Sequence, residues 1–301
     1  MIGFIASALS YAHGQVAQFR AISITTEPNA VVWVDGVRFG KTDSSGRLEI
    51  KTIAAGAHSL RVRADGFKER TLPVTAARRG DIAVVLVKTT DEAEFAFQEA
   101  ERLTLVDREK AEDAYRKAVR QRPAYPEAYL ALARTLADMG DLGEAQKAIA
   151  QARKLRPGYA EASAVLGRIY KDGGEEEKAI AAFKRAITEG RGFQPEAYAG
   201  LGLLYKEKAE GYGGGGDFEL ENTAYTEAAK NLKQSLKQLS GAPDAMVIYQ
   251  LLGLIYERQK RWNDAIANYE EFLRIFPDTA EATAVRSFIV QIKKEMSLSQ
   301  Q

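Results

Sequence analysis

The chain has 301 residues, 46% of them hydrophobic and 28% charged, a composition that suits about two soluble globular domains. It contains no cysteine, which excludes a disulfide scaffold, a thiolate metal site, a cysteine nucleophile and a lipidated cysteine. The net charge of +1 excludes a nucleic-acid-binding charge density, although residues 19–90 carry 12 Lys and Arg against 7 Asp and Glu and the rest of the chain 30 against 34.

Residues 1–18 hold no charge, and an apolar run extends from Ile2 to Leu9. The run is too short to cross a bilayer. Ser10-Tyr11-Ala12 offers a small-x-small cleavage site, so the segment reads as a signal peptide, although it does not open with the usual Lys or Arg. The expectation is an exported protein, periplasmic or at the cell surface, with no transmembrane segment.

Residues 19–88 alternate with a period of two. Ile22 and Ile24, Val32 and Val34, Leu60 and Val62, and Val85 and Val87 mark successive strands. Turn residues separate them, and Asp35-Gly36 between VVWV and VRF is a tight hairpin signal, because both turn residues need positive φ. The sum is a small antiparallel β-sandwich of about six or seven strands. Pro28, Ala30, Val32, Val34, Asp35, Gly36, Gly40 and Thr42, then Gly56, His58, Leu60, Val62, Gly66 and Phe67, make the segment resemble a PEGA domain. Asn29 and the Asp43–Arg47 turn depart from the family pattern. The resemblance implies an exported, non-catalytic module.

His58 has no neighbouring ligands at metal spacing, and the other histidine is His13, so a turn-fixing role is expected rather than a metal. Arg61 and Arg63 alternate with Leu60 and Val62 and so share the outer face of the sheet, which Lys68 and Arg70 extend. A solvated face is expected there, and an anionic glycan or lipid headgroup is the sharper alternative. Thr89-Thr90-Asp91 is a short linker, with Thr90 or Asp91 placed to cap the next helix.

The remaining chain repeats with a period of about 34 residues. In 126–159, Tyr129, Leu132, Ala133, Leu136, Ala145, Ile149, Ala152 and Pro157 describe two amphipathic helices. In 160–194, Ser163, Leu166, Gly167, Tyr170, Ala179, Phe183 and Ala186 repeat them in kind. The pattern resembles the tetratricopeptide repeat (TPR). Small residues at Ala133, Gly167 and Gly202 let paired helices approach, while Leu136, Tyr170, Ile149 and Phe183 fill the space between pairs. Five repeats are expected within 92–279, at 92–125, 126–159, 160–194, 195–242 and 246–279, followed by a capping helix over 280–296. The first has lost its Leu-Gly signature. The fourth carries the insertion AEGYGGGGDFELENTAY, read as a mobile loop. The fold class is thus multidomain β plus α: a PEGA-like β-sandwich followed by a TPR superhelix.

The resemblance implies that the first helix of each pair lines a concave groove, with Leu130, Arg134, Arg168, Lys171, Lys206 and Arg258 as candidate partner-binding residues and Leu203, Gln250 and Leu254 among their neighbours. Arg134 and Arg168 occupy equivalent positions and would form a basic ladder suited to a carboxylate or acidic peptide, unless Asp138 and Asp172 pair with them. The residues that chaperone-tail-binding TPR clamps use are not matched. No catalytic set, metal cluster or cofactor motif can be named. The expected function is a non-catalytic scaffold of the cell envelope binding a partner protein or peptide in the groove. The alternative is a β-domain that binds cell-surface glycan, with the repeats as spacer.

Overall fold

The structure is a computed structural model and describes residues 19–298; the expected signal peptide lies outside the described residues. Seven strands come first: β1 (Phe19–Thr25), β2 (Val31–Val34), β3 (Val37–Lys41), β4 (Arg47–Ala54), β5 (His58–Arg63), β6 (Arg70–Val74) and β7 (Gly80–Ala83). They form two sheets, in the orders β4-β1-β7 and β3-β2-β5-β6. All pairings are antiparallel except β1 with β7. That exception arises because the chain leaves β6 at the edge of one sheet and crosses to the edge of the other. The inward residues of both sheets, among them Ile22, Ile24, Val32, Leu60, Val62 and Ile82, form one core between them.

The turn between β2 and β3 has φ of 53° at Asp35 and 82° at Gly36, the tight hairpin its sequence calls for. His58 holds it: Nδ1 meets Asp35 Oδ2 at 2.6 Å and Nε2 meets the Ala54 carbonyl at 2.8 Å. Asp35 Oδ1 also accepts from the Ser59 amide. The arginine nearest the start, Arg20, is buried and donates to the carbonyls of Gly56, Thr75, Ala76 and Arg78, which ties the loop before β7 to the sheet.

Eleven helices follow among the described residues: α1 (Glu92–Leu103), α2 (Arg108–Gln121), α3 (Pro126–Asp138), α4 (Leu142–Leu155), α5 (Ala160–Asp172), α6 (Glu176–Glu189), α7 (Pro195–Gly214), α8 (Phe218–Leu239), α9 (Ala245–Arg258), α10 (Trp262–Ile275) and α11 (Glu281–Leu298). Asp91, Asp107, Asp141 and Asp217 cap α1, α2, α4 and α8 through their side chains. Helices pair in sequence, and α3 also packs on α5, and α5 on α7, which puts the odd-numbered helices on the inside of the curve.

The packing follows the small-large rule. Phe183 of α6 is buried between α5 and α7, where a Cβ at Gly167 would lie 2.5 Å from its ring and one at Gly200 would overlap it. A fully buried Phe contributes about 1.5–3 kcal/mol, so each such wedge matters to the stack. A second device recurs at the 34-residue period: Arg122 stacks on Tyr125 and Arg156 on Tyr159, each with its guanidinium 4.3 Å from the ring centre.

The fourth repeat departs from expectation. The stretch read as a mobile loop is helical: α7 runs through Gly211, Gly213 and Gly214, and α8 starts at Phe218. Only Gly215, Gly216 and Asp217 turn the chain, with Gly216 at φ 82°. The helix persists because Glu221 packs where a Gly213 side chain would stand, and because the Asp217 side chain accepts from the Leu220 amide. These two helices have 20 and 22 residues, against 12 to 14 in the other pairs, so they extend past them as a helical hairpin.

Candidate functional site

The β-sandwich sits against the inner face of the helical array and contacts it at both ends. At the first repeat, Gln98 of α1 accepts from the Gly66 amide at 2.8 Å and donates to the Phe67 carbonyl at 2.9 Å. Arg63 is 5% exposed there, bonded to Glu69 at 2.5 Å and Glu101 at 2.7 Å, with Phe97 stacked 4.4 Å below its guanidinium. Burial works against its charge, but Glu101 and Glu69 outweigh that and hold its pKa above the ordinary arginine value. This contact explains the lost Leu-Gly signature of the first repeat. Buried Gln98 serves the β-sandwich, and buried Glu94 holds Gln98 by accepting from its side-chain amide at 3.0 Å while also accepting from the Tyr125 hydroxyl at 2.8 Å.

One end of the outer face of the β3-β2-β5-β6 sheet, at Arg63, is therefore an interface, while Arg38, Ser59, Thr71 and Pro73 on the same face stay exposed as the alternation predicts. Arg63 is buried, and half-buried Arg61 stacks 4.2 Å from the Trp33 ring centre. Lys68 and Arg70 stay exposed. Nothing in the local alternation separates a sheet face covered by water from one covered by helices.

At the far end, the Gly241 amide, between α8 and α9, donates to the Thr52 carbonyl of β4 at 3.3 Å. Lys51 reaches Asp278 at 3.7 Å, and Arg274 of α10 lies 5.3 Å over the Phe19 ring. Between the two ends the β2–β3 hairpin enters the groove. Val37 is buried in the same cluster as Ile248 and Leu252 of α9. Beside the hairpin lies a cleft of about 700 Å³, walled by Trp33 and Arg38 on one side and by Tyr159, Glu161, Phe193 and Asp244 on the other.

Each of the six groove residues named from sequence has a definite place. Leu130 is buried in the core of the first three repeats and does not face the groove. Arg134 makes a two-bond fork to Glu196 of α7, at 2.9 and 2.5 Å. Arg168 pairs with Asp138 of α3 at 3.2 Å, and Lys171 with Glu207 of α7 at 3.0 Å and with Asp172 at 3.3 Å. Lys206 pairs with Glu210 at 2.6 Å, and Arg258 with Glu221 of α8 at 2.9 Å. The basic ladder is thus neutralised by carboxylates, Glu196 two repeats along for Arg134 and Asp138 of the adjoining inner helix for Arg168, and an acidic peptide would have to displace them.

What the groove offers openly is apolar. Val247, Leu251, Leu254 and Arg258 lie along one face of α9, with Val247 53% and Leu254 55% exposed. Val247 borders the cleft beside the hairpin; Leu254 borders a hollow of about 430 Å³ with Lys206, Tyr225 and Arg258. A second hollow of about 420 Å³ shares Tyr225 and Arg258 and adds Phe218, 69% exposed at the tip of the extended hairpin. Lys206 and Arg258 therefore come together with Leu254, whereas Arg134 belongs to the covered part. The sequence pattern placed Leu254 among the inward positions, but Tyr225 and Phe218 both lie within the stretch read as a mobile loop, where a loop ordered by a partner through Tyr212 and Phe218 is the alternative.

Among the described residues no group of three or more His, Asp or Glu could hold a metal, and no helix is long and apolar enough to cross a membrane.

The sequence matches the PEGA domain over residues 19–89 and the tetratricopeptide repeat over residues 130–195 and 247–279. No curated protein matches it. Among solved structures, yeast Tom70 aligns with a TM-score of 0.54 at 15% identity, over 69% of this chain and 41% of that one. MamA aligns at 23% identity with a TM-score of 0.43, over 64% and 96%. A thermophilic TPR protein of Thermus thermophilus aligns at 21% identity with a TM-score of 0.48, over 66% and 98%. The likeness to Tom70 is one of fold.

Proposed function

We propose that this chain, which carries a PEGA domain and a tetratricopeptide-repeat array, is a non-catalytic interaction scaffold of the cell envelope whose partner docks on the uncovered part of the concave face. The carrying observation is the exposed stripe of α9, with Val247 and Leu254 more than half open to solvent on the inner surface of the array. Its rim of paired charges, Lys206–Glu210 and Arg258–Glu221, gives a segment of mixed polarity something to bond without leaving a cation unmatched. The envelope setting is supported by the PEGA domain, a module typical of exported proteins.

The test is quantitative capture of envelope proteins by the immobilised full chain, compared with Leu254→Glu and with Leu105→Glu, an exposed position between α1 and α2. A partner retained by wild type and by the Leu105 variant, but lost on Leu254→Glu, supports the reading. Equal retention by all three removes it. A glycan-binding role for the β-sandwich is left with Lys68 and Arg70; retention on envelope polysaccharide that disappears in the Lys68→Ala/Arg70→Ala double variant would favour it.

A further inference from the structure

The middle of the groove already holds a ligand-like element, and it belongs to the same chain. The β2–β3 hairpin presents its turn to α5, where a Cβ on Gly36 would stand 3.6 Å from Glu161 Oε1. The next residue, Val37, is buried in a cluster shared with α9, with Phe39 packed against the same cluster. Trp33 faces the cleft that also contains Tyr159 and Phe193. A tight turn followed by an aliphatic anchor is how a hairpin would occupy a hydrophobic groove from outside.

The seat at the far end is specified by the sequence. Ser240 is buried with φ 53° and ψ −123°, a backbone conformation uncommon for a residue with a side chain. That geometry delivers the Gly241 amide to the Thr52 carbonyl. Gly241 itself has an unexceptional φ, yet a Cβ there would overlap the Thr52 hydroxyl and stand 2.9 Å from its Cβ. The three atoms nearest a Cβ at 241 all belong to Thr52, so glycine is needed there for the approach of β4. The remaining polar tie, Lys51 to Asp278, joins side chains 68% and 82% exposed and adds little.

We infer that the concave face between α5 and α9 is a binding surface for a β-hairpin with an aliphatic residue after its Asp-Gly turn, that the chain fills it in cis, and that an outside partner enters this stretch only when the β-sandwich lifts from the Gly241 seat while staying held at α1. The inference builds on the groove-docking reading only for what enters; the lifting is tested with no partner present. Contact along an exposed stripe of α9 and contact beneath the hairpin are continuous through Val247, so a partner seated on the open part adjoins the hairpin's own site.

The sequence makes the experiment clean. It has no cysteine and two tryptophans, Trp33 and Trp262. In a Trp262→Phe background the fluorescence of Trp33 reports the cleft alone. Thr52→Cys with Gly241→Cys creates the only thiol pair, and its Cβ atoms need to separate only from 2.9 Å to the ordinary disulfide spacing of about 3.5–4.5 Å. Acrylamide quenching of Trp33 is expected to be lowest in the oxidised pair and at least about twofold higher once the same sample is reduced, as a minor open state becomes populated. Gly241→Val should match the reduced form. Identical quenching before and after reduction, with unchanged far-ultraviolet circular dichroism, overturns the inference. If Gly241→Val loses helical signal, the oxidised and reduced pair decides alone. Failure of Leu254→Glu to reduce capture would remove the docking reading and leave this result untouched.

Discussion

The β-sandwich has two seats on the helical array, and they are built on different physics. At α1 the buried Arg63, paired with Glu69 of its own domain, also bonds Glu101 and stacks on Phe97 of the helix, and Gln98 bonds the Gly66 amide and the Phe67 carbonyl. Opening is costly because it takes a buried cation from its second carboxylate and leaves two backbone groups without their partner. Between α8 and α9 one amide–carbonyl bond and a close approach of backbones, with an exposed Lys51–Asp278 pair, Arg274 over Phe19, and Val37 and Phe39 packed on the α9 cluster nearby, make a contact with no buried charge. The pairing of a deep anchor with a shallow one is what a hinged element requires. Two equal anchors would give a rigid block, and two shallow ones a loose domain.

The largest effect is expected at the deep seat. Arg63→Ala should cost about 2–4 kcal/mol, since Glu69 and Glu101 lose their shared cation and Phe97 loses its stacking partner. Urea unfolding measures it, and a loss under about 1 kcal/mol would mean the anchor is not deep. Gln98→Ala should follow at about 1–3 kcal/mol, the cost of leaving the Gly66 amide and the Phe67 carbonyl without their partner.

At the shallow seat the numbers should drop while the accessibility of Trp33 rises. Gly241→Val is expected to lower the global unfolding free energy by less than Arg63→Ala does, because lifting the seat exposes Val37 and Phe39 but strands no buried charge. A loss as large as that of Arg63→Ala would erase the distinction between the seats.

Asp244 sharpens the same comparison through pH. Its carboxyl, just before α9 in the cleft, has a raised pKa because desolvation outweighs the attraction of Arg38 from β3; Glu196 of α7 pushes the same way as desolvation and Arg134 of α3 opposes it. A carboxyl raised in the closed state binds its proton more tightly there. Closure is therefore favoured below the ordinary aspartate range and weakens as pH rises through the raised value. Asp244→Asn should remove that dependence, read as Trp33 quenching followed as pH rises from below the ordinary aspartate range to neutrality; an unchanged pH profile would exclude Asp244 from the seat. The smallest effect belongs to Lys51→Ala, which removes an exposed pair and should shift stability by less than about 0.5 kcal/mol.

Much of each domain was readable from the residues. The period-two alternation of Val32, Val34, Leu60 and Val62, the Asp35-Gly36 turn and the helical spacing of Leu132, Leu136, Phe183 and Ala186 all reappear as strands, hairpin and stacked helices. The placement of one domain on the other was not readable, because Trp33, Arg61 and Arg63 have the same alternation whether water or α1 covers them. Signals for the contact did exist: an aromatic residue at an outward strand position, and a first helix carrying Glu94 and Gln98 where the repeat wants apolar and small residues. The glycine run misled because composition was weighed over context; Gly211, Gly213 and Gly214 continue a helix already packed along its partner, and one cap at Asp217 starts the return. For the groove, the repeat pattern gave positions but not partners. Arg134 finds Glu196 two repeats along the array, a separation of 62 residues that local spacing cannot reveal.

The span of the β-sandwich has a mechanical consequence. A stack of helix pairs touching only their neighbours is a spring, soft in bending because each joint gives a little. Here a stiff crossbar runs from the first coil, at Glu101, to the last, at Asp278 and Arg274. While the Gly241 seat is closed the crossbar limits how far the spring can straighten, and when the seat lifts the joints alone set the curvature. A load that straightens the array must first pull on Gly241 and Thr52, so tension applied across the molecule and ligand entry into its groove would act through the same joint.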